Sequence, residues 1–143
     1  MGYNEARAKP TILILESNMQ ASDLISFALS RLGYYLIQAY DGQKGLRQLH
    51  LRKPDIMLLD LPEGMDPDSF DVFSRMQEEG LDTETLVFVT EDEVDLAMSL
   101  GMQYIIKPFT MYDLMNRIGN ISLRSEQIQR PIIQKLGRIT IDV

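Results

Sequence analysis

The sequence predicts an α/β protein: a doubly wound, five-stranded parallel sheet sandwiched between two layers of helices. Three observations carry this prediction. Five short runs of β-branched and large apolar residues recur along the chain, and four are apolar almost throughout, the pattern of strands covered on both faces. The segments between them repeat apolar residues at helical spacing. Three of these segments close on a glycine, where a helix ends most readily in a left-handed turn.

The elements follow in order. The first run, Thr11 to Leu15 (TILIL), precedes Ala21, Leu24, Ile25, Ala28 and Leu32 on one helical face, closed by Gly33. The second, Tyr35 to Ala39 (YLIQA), leads into a helix from Gln43 to Leu51, which must stop before Pro54 because a proline ring disfavours helical geometry in the residue before it. After the third run, Ile56 to Leu59 (IMLL), Val72, Phe73 and Met76 mark a helix closed by Gly80. Its start, Asp66-Pro-Asp68-Ser-Phe-Asp71, has the alternating acids of a calcium loop but lacks that loop's central glycine and terminal glutamate, so Asp68 or Ser69 is read as a helix cap. The fourth run, Leu86 to Val89 (LVFV), precedes a short helix ending at Gly101. The fifth, Tyr104 to Ile106 (YII), leads to a capping-box start at Thr110-Met-Tyr-Asp113. Right-handed crossovers then distribute the helices over both faces of the sheet.

This reading gives an N-terminal tail over 1–9, one domain over 10–123, and a polar, proline-terminated linker over 124–131. Residues 132–143 (IIQKLGRITIDV) alternate like a strand for which the finished sheet leaves no partner. They either pack on the domain or open a second one.

Composition narrows the function. The absence of cysteine excludes disulfides, thiolate metal sites and thiol catalysis, and His50 as the only histidine excludes a multi-histidine metal cluster. No apolar run reaches the length of a membrane span and the start MGYNEARAKP has no signal-peptide core, so no membrane partner and a cytoplasmic location are expected. The net charge of −7 is unevenly spread: residues 55–95 hold 14 acids against Arg75 alone, between two mildly basic flanks. Most of that density is a solvated face, and no basic patch for nucleic acid appears in this domain.

In open α/β sheets ligands bind at the carboxyl ends of the strands. There the chain carries Glu16-Ser17-Asn18, Asp60-Leu61-Pro62, Thr90-Glu91 and Lys107-Pro108. Each residue has an ordinary explanation taken alone, as a turn former, a cap or a snorkelling cation. Together, two carboxylates, a hydroxyl and an ammonium suit a hard divalent cation beside a phosphoryl group, with Asp60 as the nucleophile.

The runs TILILESN, LGYYLIQAYDGQKGL, KPDIMLLD, LVFVT and YIIKPF resemble the receiver domain of bacterial response regulators over residues 10–123, and LGRITIDV is similar to the opening strand of the winged-helix DNA-binding domain that follows receivers of the OmpR/PhoB class. The resemblance implies a CheY-like sheet of strand order 2-1-3-4-5 and a phosphorylation switch, not an enzyme acting on a separate substrate. Asp60 would be the phosphoacceptor. Glu16, Asp60 and the Pro62 backbone carbonyl would hold Mg²⁺; Thr90, Tyr104 and Lys107 would form the switch and phosphate contacts, and Lys107-Pro108 would be a cis peptide. The implied partners are a sensor histidine kinase, DNA through a C-terminal domain missing from this chain, and a second copy through the fourth helix, fifth strand and fifth helix.

The chain also departs from that pattern. Ser17 stands where the family has a second acid, Glu91 follows the switch threonine as a candidate modulator, and the segment from Thr90 to Lys107 is short by about a helical turn. Met102-Gln103 replaces an acidic pair, so Met102, Met111 and Met115 are expected to supply apolar contacts to any dimer. Two other functions fit the same residues: a degenerate receiver that binds proteins without being phosphorylated, and a small Mg²⁺-dependent phosphohydrolase, which is disfavoured because Pro62 stands where such enzymes carry a second acid.

Overall fold

The structure, a computed structural model, describes residues 9–121 and 140–141. Five strands, β1 (Thr11–Glu16), β2 (Tyr35–Ala39), β3 (Ile56–Asp60), β4 (Glu84–Val89) and β5 (Gln103–Ile106), form one parallel sheet in the order β2-β1-β3-β4-β5. The helices are α1 (Met19–Ser30), α2 (Gly42–Arg52), α3 (Ser69–Glu78), α4 (Val94–Ser99) and α5 (Met111–Ile121). The predicted fold class and strand order are those observed.

Strand alternation sends each sheet face into its own core. Ile12, Ile14, Ile56, Leu58, Leu86 and Phe88 pack with α1 and α5, whereas Leu13, Leu15, Met57, Leu59, Val87 and Val89 pack with α2, α3 and α4. Each such fully buried side chain contributes about 1.5–3 kcal/mol. The α2 layer approaches β1 so closely that a Cβ on Gly45 would lie 2.3 Å from a Leu15 methyl carbon.

The helix boundaries follow the local chemistry. Asn18 caps α1, Asp41 caps α2, and Asp68 and Asp71 form a reciprocal capping box on α3. Thr110 and Asp113 cap α5 in the same mutual fashion, at 3.3 and 3.1 Å. Gly33, Gly80 and Gly101 all have positive φ, as their expected roles at helix ends require. His50 shares a 2.6 Å hydrogen bond with Glu79, which ties α2 to the end of α3.

Two sequence expectations are corrected. Residues 132–143 were expected to lack a partner strand, yet β7 (Thr140–Ile141) pairs antiparallel with β6 (Phe109–Thr110), and Ile141 is buried in the α1–α5 core. The two residues directly after the β5–Pro108 turn are what supply the missing edge. The linker and the remainder of the tail lie outside the described residues. Second, Met102, Met111 and Met115 are all buried, because each falls on the inward side of its segment, so none is available to a partner. Among the described residues no helix is long and apolar enough to cross a membrane.

Candidate functional site

Parallel pairing builds the site. In register, Glu16 pairs with Asp60, so the last residues of β1 and β3 lie side by side at the carboxyl edge of the sheet. Both are buried, at 2% and 7% exposure. The backbone around them is pinned: Ser17 N–H donates to the Asp60 carbonyl at 3.3 Å, and the Ser69 hydroxyl bridges both the N–H and the carbonyl of Leu61.

Lys107 reaches this pair from the far side of β4. Its own N–H donates to the Val89 carbonyl at 2.8 Å, and its Nζ donates to Asp60 Oδ1 and Oδ2 at 3.1 and 3.3 Å. The Lys107–Pro108 peptide is cis. Glu16 Oε2 accepts the Asn18 N–H at 2.9 Å, but Glu16 Oε1 is buried with no hydrogen-bond partner.

The electrostatics follow from this packing. Burial, then the adjacent Asp60 charge, push the Glu16 carboxyl up to about 8. Burial also raises the Asp60 carboxyl, opposed chiefly by Lys107. Glu16 is therefore largely protonated near neutral pH, whereas at Asp60 the Lys107 charge is the chief influence opposing burial.

Of the residues expected here, the structure brings together Glu16, Asp60 and Lys107. Ser17 is half-buried beside them and adds no charge. The Pro62 carbonyl accepts the Met65 N–H at 3.2 Å, which leaves it one lone pair for another partner. Tyr104 is half-buried against the α2–α4 core. Thr90 directly follows β4, but its N–H and hydroxyl both donate to Glu93 Oε1, at 2.9 and 3.3 Å. Glu91, the candidate modulator, is exposed; the acid whose charge reaches Asp60 is Glu93. A 3-10 turn over Glu91–Glu93 carries the third residue after Thr90 back over it. The pattern Thr-x-x-Glu was the available signal for this contact.

The donor set fits Mg²⁺ on one observation: Glu16 Oε1, a buried carboxylate oxygen beside a second carboxylate, lacks any donor, and a hard cation that keeps several waters would satisfy it. Among the described residues no three histidine, cysteine or acidic side chains converge, so the protein would offer two carboxylates and no third. A cavity of about 650 Å³ opens at the opposite end of the sheet, near Pro10, Lys53 and Thr83, away from these charges.

No protein-family model matches the chain. The chain is 29% identical over 139 residues to the transcriptional regulatory protein TrcR of Mycobacterium tuberculosis, covering 92% of this chain and 53% of TrcR. It is 31% identical over 121 residues to the alkaline phosphatase synthesis transcriptional regulatory protein PhoP of Bacillus subtilis, covering 80% and 49%. It thus spans about half the length of the curated relatives it matches. A response regulator from Thermotoga maritima superposes with a TM-score of 0.68 at 27% identity, over 79% of this chain and 97% of that one. With these relatives, this fold and this arrangement at the sheet edge, the chain belongs to the response-regulator receiver family.

Proposed function

We propose that this chain is the receiver part of an OmpR/PhoB-type two-component response regulator, in which Asp60 accepts a phosphoryl group from a sensor histidine kinase and thereby controls a DNA-binding domain. The observation that carries the reading is the two-oxygen contact of Lys107 with Asp60, a buried acid at the carboxyl edge of a parallel sheet.

In the reaction a bond forms between an Asp60 carboxylate oxygen and phosphorus as the phosphorus–nitrogen bond of a phosphohistidine breaks, and the electron pair of that bond goes to the departing imidazole nitrogen, which takes a proton from water. Lys107 orients the Asp60 oxygens beforehand and pairs with the phosphoryl oxygens afterwards. Glu16, with Asp60 and the Pro62 carbonyl, would hold Mg²⁺, which when bound neutralises charge on the phosphoryl group. Thr90 would donate its hydroxyl to a phosphoryl oxygen, and Tyr104 would follow that movement within the α4–β5 layer. Residues 124–131 would link this domain to a second, which would follow from 132–143 with Thr140–Ile141 still seated on this domain, and a homodimer would form across α4, β5 and α5, where Leu96, Met98, Ile106 and Tyr112 are exposed.

The test is the intact mass after incubation with a small acyl phosphate donor and Mg²⁺. Wild type is expected to gain one phosphoryl group and Asp60→Ala none; equal gain by both would overturn the reading. A second reading, a receiver that acts by protein binding without phosphorylation, is favoured by the two-carboxylate donor set, and an unmodified wild type that still dimerises would support it.

A further inference from the structure

Thr90 is not free at the edge of the sheet. It directly follows β4 and caps the 3-10 turn, and one oxygen of Glu93 accepts both its N–H, at 2.9 Å, and its hydroxyl, at 3.3 Å. The Glu93 N–H donates back to the Thr90 carbonyl at 3.0 Å, so the two residues are mutually tied. Glu93 is half-buried, and α4 starts at the very next residue, Val94. The exposed Glu91 and Asp92 of the same turn do not share this contact.

We propose that Glu93 is a positioning residue that gates the site through Thr90: it keeps the Thr90 hydroxyl for itself and faces Asp60 with a negative charge, so that a phosphoryl group on Asp60 must draw Thr90 away from Glu93 and thereby release the first turn of α4. The proposal rests on Asp60 being a phosphoacceptor. It has two separable physical parts. The hydroxyl has a single proton to donate, so it serves either Glu93 or a phosphoryl oxygen, not both. The carboxylate opposes any anion brought to Asp60, and the same charge is among the causes that raise the Asp60 carboxyl. Release of the hydroxyl would also remove the contact that fixes the start of a helix only six residues long.

Rates of phosphoryl incorporation from a small acyl phosphate distinguish these parts in the full chain. Glu93→Gln keeps an acceptor for Thr90 and removes the charge; it should react about fivefold faster at low salt, and the advantage should shrink as ionic strength rises. Glu93→Ala removes both and should react about tenfold faster. That further gain over Glu93→Gln should vanish when both substitutions are made in a Thr90→Ala background. A residue that merely capped the helix would produce no salt-dependent gain in Glu93→Gln. Equal rates for wild type, Glu93→Gln and Glu93→Ala, with Asp60 modified in each, overturn this proposal alone. No incorporation in any of them overturns the phosphoacceptor reading and this proposal with it, whereas incorporation only in the Glu93 variants supports the gate directly.

Discussion

Glu16 and Asp60 are neighbours across two parallel strands, buried side by side, and the Lys107 ammonium contacts Asp60 and not Glu16. The asymmetry has a cause: Lys107 contacts both Asp60 oxygens, whereas one Glu16 oxygen meets no donor at all. Lys107 thereby counters burial chiefly at Asp60 and is only a minor counterweight at Glu16.

This pair makes stability depend on pH. Glu16 titrates at about 8 when folded against 4.5 as an ordinary glutamate, so the folded state binds an extra proton between those values. The resulting stabilisation is complete below the lower value, declines across the interval and is lost above the upper one. In chelator-treated buffer, stability from denaturant titration should fall by on the order of 2–4 kcal/mol between about pH 5 and about pH 8.5. Glu16→Gln should remove most of that slope; an unchanged slope would show that the proton resides elsewhere.

Lys107→Met should destabilise the fold by about 2 kcal/mol at neutral pH, because it strands a buried carboxylate without its cation. Adding Asp60→Asn should recover most of the loss, since the charge that needed a partner is then gone. Urea titration of the two single variants and the double variant checks this, and additive losses would count against the coupling.

Gly45→Ala introduces a methyl group into the side chain of Leu15, which is itself fully buried one residue before Glu16. The expected cost is about 1–3 kcal/mol by thermal unfolding. In a Leu15→Ala background the same substitution should cost less, because the clash is removed along with the cavity it fills.

A homodimer across α4, β5 and α5 should be held by Leu96, Met98, Ile106 and Tyr112, the exposed large apolar residues of those elements, Met102, Met111 and Met115 being buried. Its dissociation constant, measured by sedimentation, should change less than about twofold up to about 1 M salt. Ile106→Asp should abolish it. A steep loss of dimer with salt would mean that ion pairs hold it instead.

The strands and the Asp60–Lys107 contact were legible in the sequence because both rest on local signals: apolar runs of strand length, glycines at helix ends, and polar residues directly after each run. Glu93 was not, since adjacency to Thr90 drew attention to Glu91, and only the tightness of a 3-10 turn brings the third residue over the first. The burial of Met102, Met111 and Met115 depends on how three elements are rotated against the sheet, which spacing alone leaves open for residues as adaptable as methionine. The pairing of Ile141 with Phe109 joins positions far apart in the chain, and a two-residue strand has no periodicity to read.

That last pairing ties a distant segment of the chain to the site's own edge. Phe109 meets Phe88 edge to face at 4.8 Å between ring centroids, and Lys107 lies two residues before it. The strand β7 is therefore seated on the two residues that follow the cis Lys107–Pro108 peptide, beside the lysine that grips Asp60. The seat of β7 and the cation of the sheet edge thus share four consecutive residues, Lys107 to Thr110.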